Sequence, residues 1–148
     1  MKTNFLKTAL LIFIAITSLI SCDDDDEVPA IVEPTIFNYA EGGNTFTEVS
    51  NPYATASANK IFGNNASVNV VEITLQYLVV GVYTIGGSNQ FKYTRPGTTS
   101  VWTAISGTII ILENENNKIS GSFDLTAGNS DLGINSVSGS FKRVTVNP

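Results

Sequence analysis

The run Ile119-Ser120-Gly121-Ser122-Phe123-Asp124-Leu125-Thr126-Ala127 decides the fold class. Its odd positions are apolar or glycine and its even positions polar, the period of two required of a strand with one buried and one wet face. Just before it stands Glu115-Asn116-Asn117-Lys118. This reads as a two-residue hairpin turn, because asparagine tolerates the positive φ that such turns impose. A hairpin about Asn116 and Asn117 sets Glu115 opposite Lys118 and Ile110 opposite Phe123.

The same pattern occurs three times. Ile105-Ser106-Gly107-Thr108-Ile109, Ile119 to Phe123, and Val137-Ser138-Gly139-Ser140-Phe141 are 14 and 18 residues apart. Glycine inside a strand marks a bulge, a bend or a close backbone approach, so three such strands in succession predict a strongly curved sheet and not a ligand loop. Further strands are expected near Thr35–Tyr39, Thr45–Val49, Tyr53–Ala58, Ser67–Gln76, Gly81–Ile85, Gln90–Thr94, Val101–Ile105, Thr108–Glu113 and Ser136–Val146. Lys118–Ala127 completes the set. No segment keeps a 3.6-residue apolar period over three turns. The expected fold is all-β: a single antiparallel β-barrel or β-sandwich over residues 34–148.

The C-terminal stretch resembles a family of small flavobacterial lipoproteins of unknown function. The matching residues are Gly107-Thr108, Asn116-Asn117, Ile119 to Phe123 and Gly139 to Phe141, with weaker matches at Gly81 to Thr84 and Trp102. The resemblance covers Gly81 to Val146 and implies a β-rich fold without naming an activity.

The N-terminal residues read as targeting sequence. Lys2 and Lys7 flank the start of an apolar stretch, Ala9 to Ile20. Twelve residues of helix would span about 18 Å, short of the ~30 Å hydrocarbon core, so residues 1–21 read as a signal peptide and not as a membrane span. The segment Leu19-Ile20-Ser21-Cys22 resembles a lipobox, which implies cleavage before Cys22 and its acylation. Two or three acyl chains hold a protein firmly where one does so only reversibly. The run Asp23, Asp24, Asp25, Asp26, Glu27 resembles the acidic tract that sends lipoproteins of the Bacteroidota to the outer face of the outer membrane. Residues 22–33 form an acidic tether, which as a flexible coil would reach roughly 18 Å. After Cys22 there are six basic and thirteen acidic residues, but from Pro34 onward six against seven, so the acidity belongs to the tether.

Composition narrows the chemistry. The chain has no histidine, and its single cysteine is Cys22. Ser-His-Asp and Cys-His catalysis lose an essential member, and zinc loses its favoured ligands. No phosphate-cradling or dinucleotide fingerprint occurs. The basic residues are scattered, which argues against nucleic acid. No cofactor or metal is expected; Asn129, Asp131 and Asn135 lack the spacing and charge of a calcium loop. Carboxylate hydrolysis would draw on Glu72, Glu113, Glu115 and Asp124. Aromatic residues, foremost Tyr93 beside Arg95 and Trp102, are candidates for a carbohydrate-stacking surface. The expectation is an outer-membrane, surface-exposed, non-enzymatic binding or assembly module. It is held to the membrane through Cys22, and its ligand is a carbohydrate or a protein. A small carboxylate hydrolase and a structural envelope component are the alternatives.

Overall fold

A computed structural model describes residues 32–65, 68–129 and 132–148. The chain divides into units Met1–Val32 and Glu33–Pro148, and the fold is that of the second. The signal peptide, Cys22 and the run Asp23 to Glu27 lie outside the described residues.

Ten strands form in order: β1 (Ile36–Glu41), β2 (Thr47–Glu48), β3 (Tyr53–Thr55), β4 (Lys60–Asn65), β5 (Val68–Thr74), β6 (Gly81–Thr84), β7 (Gln90–Thr94), β8 (Val101–Glu115), β9 (Lys118–Asn129) and β10 (Ser136–Asn147). Seven of them close a barrel through β3-β4-β5-β7-β8-β9-β10, and the ring is completed by parallel pairing of β10 with β3. The long strands β8 and β10 each change partner along their length. Val101 to Thr103 of β8 pair with β7, and Thr108 to Ile111 with β6. Likewise Val137 to Lys142 of β10 pair with β1, and Thr145 to Asn147 with β3. All ten strands belong to one sheet, so of the barrel and the sandwich expected from sequence the structure is the barrel.

Bends at these changes of partner have local causes. On β8 the buried positions change from Trp102 and Ala104 to Ile109 and Ile111. The change of parity falls at Gly107, whose φ of 118° is a conformation that side chains with a Cβ rarely adopt. Pairing with β9 continues across it, so the two strands expected at Val101–Ile105 and Thr108–Glu113 are one. On β10 the register slips between Phe141 and Val144, where Arg143 takes a φ of 53°.

The hairpin between β8 and β9 forms about Asn116 and Asn117, with φ of 51° and 57°, and Glu115 stands opposite Lys118. The expected pairing of Ile110 with Phe123 is corrected by one position. A register shift between Ile111 and Glu113 leaves Ile109 opposite Phe123 and Ile110 opposite Ser122. The extra residue of this bulge is Leu112, whose side chain is exposed.

Inside, the barrel is filled. A chain of aromatic contacts runs Trp102–Phe91–Phe123–Phe37–Phe141, with centroid separations of 6.1, 5.1, 6.1 and 5.8 Å. The repeated Gly-Ser-Phe units meet in register: Gly121 is opposite Phe141, Ser122 opposite Ser140, and Phe123 opposite Gly139. Each phenylalanine lies across the other strand's glycine. A Cβ on Gly121 would come within 2.6 Å of Phe141 Cζ, and one on Gly139 within 2.4 Å of Phe123 Cζ. The sequence echo is therefore a packing device, in which each glycine leaves room for a ring contributed by its neighbour.

Candidate functional site on the outer sheet

Neither aromatic residue singled out from sequence presents a stacking surface. Trp102 and Tyr93 are each 0% exposed, and both belong to the core. Trp102 donates from Nε1 to the Ile134 carbonyl at 3.1 Å and meets Phe91 edge-on. Burying so large a ring with its one donor satisfied is the role usual for tryptophan inside a small domain.

Tyr93 has a different task. Its hydroxyl donates to Glu41, whose carboxylate also receives Arg95, through Nε at 3.3 and 3.2 Å and through Nη2. This cluster ties β1 to β7, two strands that share no ladder. Burial alone would raise the Glu41 carboxyl. The hydrogen bonds from Arg95 and Tyr93, with the Arg95 charge, outweigh it and hold Glu41 below its ordinary 4.5. Burial, and then the bond to Glu41, push the Tyr93 phenol well above its ordinary value of 10.0. The cluster is a brace, since the Tyr93 hydroxyl and the Arg95 Nε and Nη2 groups all spend themselves on the one carboxylate.

Because the folded pKa of Glu41 is depressed, its contribution is present in full above the ordinary 4.5 and is lost as pH falls through the lower folded value. Glu41→Gln should therefore lower the thermal midpoint at pH 7, by about 1–2 kcal/mol of stability. The loss should shrink toward nothing in acid, where wild type has protonated Glu41. Melting curves from pH 7 to pH 2 check this, and a difference that persisted undiminished in acid would contradict the brace. The exposed Glu33–Lys142 pair, 2.8 Å apart, is screened by water and adds little to the acid limb.

The outer face of β8, β9 and β10 carries a groove of about 250 Å³. Phe46, in the β1–β2 connection, forms one wall and is 59% exposed; Ile110 of β8 forms another. Phe123 and Gly139 line it too, and so do the polar residues Thr108, Ser122, Asp124 and Ser138. Among the described residues these four side chains make no hydrogen bond or ion pair. Their neighbours on the same strands do: Ser106 binds Thr126, and Ser140 binds Asn38. A second trough, of about 470 Å³, adjoins on the same three strands, lined by Leu112, Glu113, Ser120, Gly121, Ser140 and Lys142, with Phe141. Asp124 was named in the sequence, but as a carboxylate for hydrolysis. Sequence places Phe46 only in a strand, because nothing local shows that its loop folds back over β9 and β10.

A family model, Domain of unknown function (DUF6252), matches residues 37–145, from the second residue of β1 to near the end of β10. The chain belongs to the DUF6252 family. No curated protein and no solved structure matches it. The match contains the barrel, the reciprocal Gly–Phe pairs and the groove, so these belong to the DUF6252 domain and not to the segment before it.

In the DUF6252 domain the candidate carboxylates have different surroundings. Glu72 pairs with Lys60 at 2.7 Å. Glu113 accepts from Ser120 at 2.8 Å in the second trough, while Asp124 lines the first groove. Glu115 stands at the hairpin turn. Among the described residues no three carboxylate, cysteine or histidine side chains converge to hold a metal. Asp131 and the Asn129 side chain lie outside the described residues.

Proposed function

We propose that this chain is an outer-membrane lipoprotein, anchored by acyl groups on Cys22 and carried to the cell exterior by the run Asp23 to Glu27. On this reading its barrel is a non-enzymatic binding module. The lipobox, the acidic tract and the resemblance to small flavobacterial lipoproteins support the location. The observation that carries the binding role is the filled interior. Among the described residues Ser120 is the only buried polar one, and apolar rings and aliphatic side chains occupy the space a barrel-binding ligand would need. Ligand contact then falls to the outer wall, where the Phe46 groove offers polar groups without partners. General acid and base carboxylates must flank one bond from a single site. Here Asp124 and Glu113 line separate grooves.

Two variants test the location in whole cells. Cys22→Ala should abolish labelling by radioactive palmitate, and a chain that still labels would remove the lipobox reading. Replacing Asp23, Asp24, Asp25 and Asp26 together by alanine should protect the protein from added protease while leaving it acylated. Unchanged digestion would reduce the acidic run to a spacer.

A further inference from the structure

We infer that the Phe46 groove is a subsite for one ring of a neutral oligosaccharide, and that the adjoining trough holds the next rings of the same chain. This rests on the reading of the barrel as a binding module. A sugar ring has an apolar C–H face and a rim of hydroxyls, and it is held best where an aromatic face adjoins a mixed set of donors and acceptors. Phe46 supplies an exposed aromatic ring, set in a loop that turns at Gly42 and Gly43, with φ of 59° and 78°, and is tied by Asn44 N–H to the Glu41 carbonyl at 3.0 Å. Below it, Thr108, Ser122 and Ser138 each bring a hydroxyl that donates and accepts, and the Asp124 carboxylate accepts from more than one hydroxyl.

The charge of the groove selects among polar ligands. No lysine or arginine lines it, so nothing balances a phosphate, sulfate or uronate. One carboxylate without a second gives a basic peptide a single partner. A neutral polyol fits both facts. At about 250 Å³ the groove is smaller than the ~300–1,000 Å³ of drug-sized sites, which suits a single ring. Continuation follows from the strands. The trough at Leu112, Ser120 and Ser140 lies further along β8, β9 and β10, where Ser122 and Ser120 follow one another on β9, and Ser138 and Ser140 on β10. Affinity should therefore rise with chain length.

The purified full chain is applied to an array of neutral gluco-, manno-, galacto- and xylo-oligosaccharides of increasing length, with uronate and sulfated oligosaccharides beside them. Binding to a neutral series, strengthening beyond one ring, is the expected result. Phe46→Ala and Asp124→Asn should each weaken it by about tenfold or more. Tyr77→Ala, which removes another exposed aromatic outside the groove, should leave it unchanged. All these positions are exposed, so the variants should melt as wild type does. Silence across the neutral series, preference for the acidic one, or binding indifferent to both groove variants would overturn the inference. If, instead, a photo-crosslinker at position 46 captures a protein on intact cells, the glycan inference falls while the binding module stands. Release of new reducing ends from a bound oligosaccharide would overturn both.

Discussion

Trp102→Ala should cost the barrel about 3–5 kcal/mol, the range for deleting a fully buried large aromatic side chain. For a domain near this size that lowers the thermal midpoint by on the order of 15 °C. Burial and two contacts are lost together. The ring is 0% exposed, it meets Phe91 edge-on with centroids 6.1 Å apart, and its Nε1 donates to the Ile134 carbonyl. The site cannot collapse readily, because the wall against the ring is Gly128, where even a Cβ would lie within 1.8 Å of Trp102 Cε2. Trp102→Phe should recover most of the packing but leave Ile134 without its donor, an intermediate loss of about 1–2 kcal/mol. Far-ultraviolet circular dichroism reads both midpoints. A Trp102→Ala protein that melts like wild type would contradict the burial described here.

The second large effect concerns the reciprocal glycines. Gly121→Ala and Gly139→Ala should each cost about 3 kcal/mol, at the upper end for overpacking. An added Cβ would lie 2.2 Å from the Ile110 carbonyl oxygen at position 121, and 2.2 Å from the Asn38 carbonyl oxygen at position 139. Both obstacles are backbone, which moves only by disturbing a ladder. The opposing rings of Phe141 and Phe123 would be displaced as well. Since the two sites are equivalent in register, their losses should agree within about 1 kcal/mol. Urea titration of both variants checks this, and tolerance at both positions would show that the glycines are not spacers for the rings.

Much of this was written locally. Asn116-Asn117 specified the hairpin because few residues accept two successive positive φ values, and the alternation from Ile119 specified β9 because one face of that strand is core. The three glycines signalled curvature for the same physical reason that makes them costly to replace. What failed to show is just as specific. Strand β4, Lys60–Asn65, has no clear sequence signal, because Ile61 and Phe62 are its only large apolar residues and Gly63-Asn64-Asn65 reads as a turn. The bulge at Leu112 shifted the register because an apolar residue in an apolar run gives no sign that it will be extruded. Val101 to Ile105 carries apolar residues on both faces, so parity alone did not place Trp102 inside. In β7, by contrast, Gln90-Phe91-Lys92-Tyr93-Thr94 has a clear parity that puts Tyr93 with Phe91 in the core, although the neighbouring Arg95 is a surface signal. The groove was beyond any local signal. It joins a loop after β1 to three strands that follow some sixty or more residues later.

A barrel whose interior is filled should bind through its outer sheet. The most direct measurement is amide chemical-shift mapping of the isotopically labelled full chain, titrated with the strongest-binding oligosaccharide from the array. The predicted result is a set of shifts confined to the residues about Phe46, Thr108, Ser122, Asp124 and Ser138 and to the adjoining trough, with the amides of Phe91 and Trp102 unmoved. Shifts centred on those interior residues, or on the Lys60–Glu72 face, would contradict it.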